Sequence, residues 1–417
     1  MKLFLNNNKL FVLAYIITSL VSILLANQFG FQRMVDDQKS TCERLRNVTF
    51  PTWENNNPSA HGFLTFLQKE DLNQKKAYSN HSTAYLFFMY GLYKIESLSE
   101  RMPMRQTAPI IAVLLFSASL LWILSEITVQ KISFAHGLVI LMSLMFILTG
   151  PGLWVPAARF NVDNVFILQL PLLLLASLAV AQKDMARLQK WIILAAFILL
   201  CPVNAALIAA FIIAYSIRSE GIDIKYLKDA AFILVGSSVV YLQPIIVSKL
   251  IGFTTTNSTW LFRSGLDGDM RYFGNLISAI FYPADERPIY IILVVLAVAL
   301  VQIFILIFNN WPNIPKDERK IDFKLFYGCL AAPYLLTCLF WPQAISIHPY
   351  LYDYLLIGPA MVIIFVNITR FRVVSQPAIA WLFVFAFLTS FNLQKIAQAS
   401  RNTGSNYAPW DAVQSSN

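Results

Sequence analysis

Apolar stretches long enough to cross a lipid bilayer recur along almost the whole of this chain, and no other feature constrains its fold as strongly. A helix of roughly 17–25 apolar residues spans a ~30 Å hydrocarbon core. The chain has 417 residues, of which 57% are hydrophobic and only 13% are charged, and its mean hydropathy is +0.58. Strands of a membrane β-barrel alternate apolar and polar residues, whereas these stretches are continuously apolar. The sequence therefore predicts an all-α, polytopic membrane helix bundle and excludes a soluble enzyme and a single-anchor receptor.

The numbers and positions of charged residues and cysteines exclude further classes of protein. The 32 lysine and arginine residues outnumber the 23 acidic residues and give a formal charge of +9. They lie in short loops between apolar stretches, as the positive-inside bias predicts, and form no basic domain that could follow a phosphate backbone. The four cysteines have no CxxC spacing, which indicates neither a zinc site nor a disulfide framework. We expect membrane lipids around the chain and no nucleic acid as a partner.

The first predicted span runs from about Leu10 to Ala26 and follows two lysines, which places the N-terminus in the cytoplasm. The polar-to-amphipathic segment from Asn27 to about Arg105 then belongs on the opposite side. It contains the aromatic stretch 85–93, which is too short to span and is predicted to lie as a helix in the membrane interface. Further spans are predicted at 108–129, 133–150, 163–181, 191–216, 229–250, 288–308, 325–341, 351–368 and 377–394.

The stretch 191–216 is interrupted by Cys201-Pro202-Val203-Asn204, and this interruption decides the topology. A single crossing would put the basic loops on its two sides in opposite compartments, whereas a hairpin of two short helices turning at Pro202 makes both loops cytoplasmic. We therefore predict a hairpin and about 11 transmembrane helices, with the C-terminus outside. We expect residues 1–394 to form one domain and residues 395–417 to form a polar tail. The outer segments are then 27–107, 151–162, 251–287 and 342–350.

Two acidic residues, Asp36 and Asp37, follow shortly after the first span. A carboxylate near the membrane surface acts as a general base on an acceptor hydroxyl or binds a divalent cation, although paired acidic residues are also common in solvated loops. His81 lies in the polar turn that leads into the aromatic stretch. The simpler interpretation of that turn is a helix cap formed by Ser82 or Thr83, with the aromatic side chains as headgroup anchors.

The later outer segments carry further polar candidates. Arg159 is suited to a phosphate and Asp163 to a cation or a sugar hydroxyl, with a snorkelling arginine and an aspartate at a helix N-terminus as the alternative. A carboxylate at membrane depth, such as Asp353, is costly unless it faces a cavity or a partner. The charges of the segment 251–287 are either part of the same site or solvated surface charges. The candidates of these segments are Arg159, Asp163, Arg263, Arg271, His348, Tyr352 and Asp353.

Taken in order, these elements resemble the GT-C superfamily of integral membrane glycosyltransferases, in particular its branch of protein mannosyltransferases and bacterial aminoarabinose transferases. Members carry an acidic residue soon after the first helix, which Asp36 or Asp37 matches. They then have a His-Pro-Pro-Leu-Tyr-like turn into an interface helix, where this chain has His81-Ser82-Thr83-Ala84-Tyr85, with Ser and Thr in place of the prolines. An arginine-containing stretch after the third span is matched by Ala158–Asp163, and a late aromatic segment by His348–Pro359.

The resemblance implies transfer of a sugar from a polyprenyl-phosphate-linked donor to a glycan, lipid or protein acceptor, by direct displacement with inversion. Asp36 or Asp37 then serves as the catalytic base, and Arg159 with Arg263 or Arg271 stabilises the departing phosphate. Some members use a divalent cation such as Mg²⁺ or Mn²⁺, so the resemblance leaves both a metal-dependent and a metal-independent reaction as alternatives. The implied donor-binding set is completed by His81, Asp163, His348, Tyr352 and Asp353.

Two other functions share part of this pattern. An O-antigen or other polysaccharide polymerase or ligase also consumes a polyprenyl-linked glycan, but its large basic outer loop comes late in the chain, whereas here the large loop comes first. A transporter or lipid flippase is expected to have two related halves and charges near the bilayer midplane, neither of which the sequence indicates. The absence of a retention signal favours a bacterial inner membrane, with the active site on the periplasmic face.

Overall fold

A computed structural model describes the chain over residues 2–29, 45–66, 68–78, 82–98, 104–128, 131–149, 165–218, 224–255, 321–341 and 358–371, with a few positions in 386–394. Within these ranges the protein is mostly helical. A π-helical turn occupies Leu45–Thr49, and two short strands, β1 (Lys76–Ala77) and β2 (Thr254–Thr255), pair in parallel. The described α-helices are α1 (Lys2–Asn7), α2 (Lys9–Phe29), α3 (Phe50–Asn55), α4 (Pro58–His61), α5 (Thr83–Leu98), α6 (Met104–Ile127), α7 (Phe134–Leu148), α8 (Val165–Ala181), α9 (Arg187–Leu200), α10 (Pro202–Arg218), α11 (Ile224–Leu250), α12 (Phe323–Phe340) and α13 (Gly358–Phe371).

Length and composition make several of these helices suited to a bilayer, which is compatible with a membrane protein. The four that are long and apolar enough to cross are Lys9–Ala26, Ile110–Ile127, Ile224–Leu250 and Phe323–Phe340. Shorter apolar helices lie at Phe134–Leu148, Gln169–Ala181 and Pro202–Arg218. The spans predicted at 288–308 and, for the most part, at 377–394 lie outside the described residues. The count of about 11 membrane helices therefore stays a prediction.

The break predicted within 191–216 is present. Helix α9 ends at Leu200, and α10 begins at Pro202. The backbone of Cys201 between them leaves the helical region (φ −134°, ψ 55°), although its N–H still donates to the carbonyl of Phe197 at 2.8 Å. Proline disfavours helical geometry in the preceding residue and is well tolerated at the first position of a helix. The Cys201-Pro202 pair therefore ends one helix and starts the next.

Contacts at the far ends of α9 and α10 show that the two helices form a hairpin. The Tyr215 hydroxyl, near the end of α10, donates to Asp322 Oδ2 at 2.9 Å, and the Asp322 N–H donates to the Ala181 carbonyl at 3.0 Å. Lys190, near the start of α9, forms a buried ion pair with Asp229, near the start of α11. The start of α9 and the end of α10 therefore lie at one end of the bundle, which we call the Asp322 end.

The turn of the hairpin lies at the opposite end, the Pro202 end, where it contacts the segment of residues 45–98. Leu200 packs against an aromatic and aliphatic cluster from this segment. We call residues 45–98 the cap segment because they fold over this end. The buried members of the cluster are Leu45, Phe50, Trp53, Tyr85, Leu86, Met89 and Leu92.

The interior of the bundle is built around α8, whose side chains from Leu170 to Ala181 are nearly all buried. A helix that is apolar on every face is expected in such a central position. The peripheral helices expose apolar side chains instead, for example Leu24 of α2 (66% exposed) and Val235 of α11 (64% exposed). Hydrocarbon rather than water is the environment in which such an exposed surface is stable.

The cap segment is held together by hydrogen bonds between its consecutive turns. Thr49 Oγ1 donates to the carbonyl of Phe66 at 2.7 Å and accepts its N–H at 3.1 Å. Trp53 Nε1 donates to the Leu64 carbonyl at 2.9 Å. Strand β1 then pairs with β2, so that Lys76 lies opposite Thr254. This pairing ties the cap segment to the residues that directly follow α11.

Candidate functional site

The Pro202 end is assembled from the starts of three helices. Ser82 caps α5, since its Oγ accepts the Tyr85 N–H at 3.3 Å, and it donates to the Leu199 carbonyl at 2.7 Å. The helix cap predicted at this turn is therefore present. The same hydroxyl satisfies the start of α5 and the end of α9, because the last carbonyls of a helix have no partner within it. Helix α5 thus begins directly on the hairpin turn.

The starts of α10 and α8 meet beside this contact. Asn204 lies in the first turn of α10 and is 6% exposed. Its Nδ2 donates to Oε1 of Gln169, in the second turn of α8, at 3.0 Å. Two amide side chains that pair inside an apolar bundle satisfy each other at a depth where water is scarce. This pair fixes the N-terminal ends of the two helices next to each other.

Helix N-termini have a definite electrostatic character. The first N–H groups of a helix lack intrahelical acceptors, and the aligned peptide dipoles place roughly half a positive charge there. Phosphates and carboxylates bind at such ends. The Pro202 end gathers the N-termini of α5, α8 and α10 and is therefore suited to an anion.

Two further contacts attach the cap segment to α11 at this end. Thr83 Oγ1 donates to Oε1 of Gln243 at 2.6 Å. A Cβ placed on Gly62 would lie only 2.5 Å from Val247, which shows how closely the turn after α4 packs on this helix. The outer segment predicted at 251–287 begins next to these contacts, because β2 directly follows α11.

His61 is a residue to which sequence reasoning assigned no role, and the structure buries it completely. Its Nδ1 accepts the N–H of Phe63 at 3.1 Å, and its ring lies edge-on to those of Phe63 and Phe66. Phe63 has a positive φ of 55°, which is strained for an aromatic residue. Burial lowers the pKa of His61, partly offset by the nearby backbone of Asn56 and of His61 itself. The neutral imidazole therefore holds a strained turn. The sequence signal for this turn was Gly62, a glycine of the kind that often ends a helix, directly after His61.

The Asp322 end has a different chemistry. Lys190 and Asp229 pair there with 8% and 6% of their side chains exposed. Gln182 Nε2 donates to Oε2 of Glu126 at 3.1 Å, and Asp322 Oδ1 caps α12. Lys190 and Asp229 neutralise each other, whereas Glu126 and Asp322 accept hydrogen bonds from uncharged donors. These contacts explain how the ends of α8, α9, α11 and α12 are joined. The buried ion pair escaped sequence analysis because its two residues are far apart in the chain.

The residues predicted to form the site all lie outside the described residues. None of them is thereby tested, and their proximity stays a prediction. Two of them are close in sequence to the Pro202 end, since His81 directly precedes Ser82 and Asp163 precedes the start of α8 at Val165. The full set is Asp36, Asp37, His81, Arg159, Asp163, Arg263, Arg271, His348, Tyr352 and Asp353.

Over the part of the chain that the structure describes, no group of three or more His, Cys, Asp or Glu side chains is arranged to hold a metal ion. Comparison of the chain with protein-family models, with curated proteins and with solved structures finds no match. The argument for function therefore depends on the residues and geometry of this chain.

Proposed function

We propose that the protein is an integral membrane glycosyltransferase that transfers a sugar from a polyprenyl-phosphate-linked donor to a glycan, lipid or protein acceptor. The observation that carries the proposal is the meeting of three helix N-termini at the Pro202 end, under a folded cap segment. A polyprenyl chain is too apolar to leave the bilayer, so its phosphate must be met at the membrane surface. Helix N-termini at the end of an apolar bundle are suited to that phosphate.

The order of elements along the chain supports the same proposal. His81 precedes α5 and Asp163 precedes α8, so two residues implied by the GT-C resemblance are close in sequence to the helix starts that form the Pro202 end. In this proposal the N-terminus is cytoplasmic and the Pro202 end faces the periplasm of a bacterial inner membrane. The Asp322 end then faces the cytoplasm, where the basic loops are favoured.

The chemistry is a single displacement. Asp36 or Asp37 accepts the proton of the acceptor hydroxyl. At the same time the oxygen of that hydroxyl forms a bond to the anomeric carbon of the donor sugar. The bond from that carbon to the phosphate oxygen breaks, and the polyprenyl phosphate leaves with inversion at the sugar. Arg159 and either Arg263 or Arg271 stabilise the phosphate as charge develops on it. A divalent cation held by the same carboxylates is the alternative role for Asp36 and Asp37.

The test is transfer of radiolabelled sugar from a polyprenyl-phosphate donor pool by the purified, reconstituted protein. Wild type is compared with Asp36→Asn, Asp37→Asn and Arg159→Ala. Glu70→Gln is the matched control, because Glu70 is an exposed carboxylate in a turn of the cap segment and is not among the residues proposed for the site. We expect transfer to be lost in one aspartate variant and in Arg159→Ala and to be kept in the control. Chelation with EDTA distinguishes a base from a metal ligand.

Two results would count against the proposal. One is that folded wild-type protein, with its helical content intact, transfers sugar from no such pool. This result would contradict the transferase proposal, and transport of the same lipid would then be assayed. Full activity in all three variants would show that the catalytic residues lie elsewhere.

A further inference from the structure

Helix α5 carries a glycine, Gly91, in the middle of its exposed face. The residues one helical turn before and after it on that face are Phe87 and Ile95, which are 45% and 58% exposed. A Cβ placed on Gly91 would meet no atom of the described residues within 4 Å. The missing side chain therefore leaves a gap on the helix surface between Phe87 and Ile95, which we call the Gly91 notch.

The described neighbours of Gly91 give no structural reason for a glycine. Glycine inside a helix is less stable than alanine, because it loses more backbone freedom on folding. At Gly62, by contrast, a positive φ of 54° and the close contact with Val247 both require glycine. Gly91 lies inside an α-helix and has space for a methyl group. A glycine at such a position is explained by a molecule from outside that approaches the helix backbone closely.

The side of the notch towards α3 is aromatic. Tyr90, next to Gly91 in the chain, contacts Phe50 and Trp53 of α3, with ring centroids 5.4 and 5.7 Å apart. The Phe87 ring lies 5.6 Å from that of Trp53. Phe50 and Trp53 are buried, so the rings of Phe87 and Tyr90 rest on a packed base. Rings that are already held in place lose little side-chain freedom when a ligand binds against them.

Charged groups adjoin these rings. Glu54, in α3, pairs with the ammonium of Lys94 and accepts the Tyr90 hydroxyl at 3.3 Å. The Lys94 ammonium lies 5.4 Å from the centre of the Tyr90 ring. Both contacts of Glu54 end on Oε1, and a carboxylate accepts about four hydrogen bonds in all. Half of the Lys94 side chain and 29% of the Glu54 side chain are exposed, so both can bond to a ligand.

This combination of a gap, aromatic rings and an exposed ion pair fits a carbohydrate. A sugar ring presents C–H groups on its faces, which pack against aromatic rings. Its hydroxyl groups donate to a carboxylate and accept from an ammonium. A lipid acyl chain bonds to neither charged group. A second apolar helix, which does favour small residues at its contacts, would bury the ion pair of Glu54 and Lys94 at a desolvation cost.

We propose that the Gly91 notch binds a sugar unit of a glycan. The sugar lies over Gly91 with a C–H face against Phe87 and Tyr90. Its hydroxyl groups bond to Glu54 and Lys94. The large polar-to-apolar contrast around the notch is thereby used by one ligand.

The identity of that glycan rests on the proposed function. The notch lies roughly 13 Å along the helix axis from the start of α5, and hence from the Pro202 end. An oligosaccharide of several units is long enough to lie on the notch and reach that end. The acceptor of the transferase is then a glycan, rather than a lipid or a protein.

The test is direct binding of oligosaccharides to the full-length protein in nanodiscs, with no sugar donor present. The probes are biotinylated oligosaccharides released from bacterial lipopolysaccharide, capsule and peptidoglycan, and biolayer interferometry measures their Kd. The notch is filled in Gly91→Ala and Gly91→Leu, and its carboxylate is removed in Glu54→Gln. Glu70→Gln, in an exposed turn of the cap segment, is the matched control.

We expect at least one oligosaccharide to bind, with a Kd that rises severalfold in Gly91→Ala and about tenfold in Gly91→Leu and Glu54→Gln. The control should bind as wild type does. Alanine and leucine favour a helix more than glycine does, so thermal stability should be kept or raised in both variants at position 91 while binding weakens.

No binding by any member of the panel, or a Kd that Gly91→Leu leaves unchanged, would overturn the proposal. Binding that depends on Gly91 in a protein that transfers no sugar would support the notch and contradict the transferase. Transfer to a glycan that Gly91→Leu leaves unaffected would support the transferase and contradict the notch.

Discussion

The two ends of the bundle join their helices through different kinds of contact. At the Asp322 end, the buried charges of Lys190 and Asp229 neutralise each other inside the protein. At the Pro202 end, Ser82 contacts the Leu199 carbonyl and Asn204 contacts Gln169, and all four groups are uncharged. The starts of α5, α8 and α10 contribute a positive potential there, which the Ser82 cap of α5 and the end of α9 offset in part. The first arrangement closes an end structurally, and the second leaves it suited to an anionic ligand.

The largest effect is expected from breaking the ion pair at the Asp322 end. Lys190→Ala leaves Asp229 buried without its partner, which costs about 3–5 kcal/mol of stability. Replacing both residues, as Lys190→Met with Asp229→Leu, should restore most of this loss because neither charge is then buried. Unfolding in detergent, followed by circular dichroism, measures both. A single variant as stable as wild type would show that the pair is not buried as described.

The same variants sharpen the comparison between the ends. If the Asp322 end is only structural, the double variant that restores folding should also restore wild-type transfer and donor KM. A folded double variant without transfer would contradict that division of roles.

A smaller effect is expected at the Pro202 end from Asn204→Asp. The substitution removes the Nδ2 donor that pairs with Gln169 and puts a carboxylate in the first turn of α10. The start of the helix favours that charge but its burial is costly, and it repels the donor phosphate. We expect donor KM to rise about tenfold, or ~1.4 kcal/mol. Asn204→Ser, of smaller size but without charge, is the control and should change KM much less. Equal KM values in the two variants would argue that the phosphate binds elsewhere.

Removing the hydroxyl that joins α5 to the hairpin turn should cost less. Ser82→Ala loses a helix cap and the bond to the Leu199 carbonyl, and we expect a loss of about 1 kcal/mol. Ser82→Thr keeps an equivalent hydroxyl and is the control. Chemical unfolding measures both, and an Ala variant as stable as the Thr variant would mean that the bond contributes nothing.

The smallest effect concerns the pH response of the cap segment. Because the pKa of His61 is below its ordinary value of 6.5 in the folded protein, protons bind more readily when the segment is unfolded. The stabilisation is complete above about pH 6.5 and is lost as the pH falls through the lowered value. Protonation also removes the lone pair that accepts the Phe63 N–H. Amide exchange of residues 45–66 should quicken in acid.

The control for this response is His61→Gln, which has an acceptor but does not titrate. Its amide exchange, corrected for the intrinsic effect of pH, should be independent of acid in the same range. Identical acid profiles for wild type and variant would assign the response to another group.

The hairpin of α9 and α10 shows which part of the fold could be predicted from the sequence. Apolar runs of membrane length predict helices because burial in hydrocarbon requires internally bonded backbone, and Pro202 predicts a break because proline restricts the residue before it. Both predictions concern properties local to a few turns of chain. The structure has a helix on each side of the break, as expected.

The contacts that join the helices at the two ends of the bundle could not be predicted from the sequence in this way. The pairing of Lys190 with Asp229 and the alignment of β1 with β2 join residues distant in sequence, and no local pattern specifies the partner. His61 is buried because Gly62 and Phe63 adopt left-handed geometry, which a single sequence only weakly signals. The predicted catalytic and binding residues, from Asp36 to Asp353, lie outside the described residues, so the candidate site remains a prediction built around the helix starts beside it.

The measurement that tests the central claim most directly is photocrosslinking with a polyprenyl monophosphate that carries a diazirine next to its phosphate. The reconstituted protein is irradiated, digested and analysed by mass spectrometry. The account predicts labelled peptides from the starts of α5, α8 and α10, competed away by unlabelled polyprenyl phosphate and reduced in Asn204→Asp. Labelling concentrated at the Asp322 end, or spread evenly over the lipid-facing helices and insensitive to competitor, would contradict it.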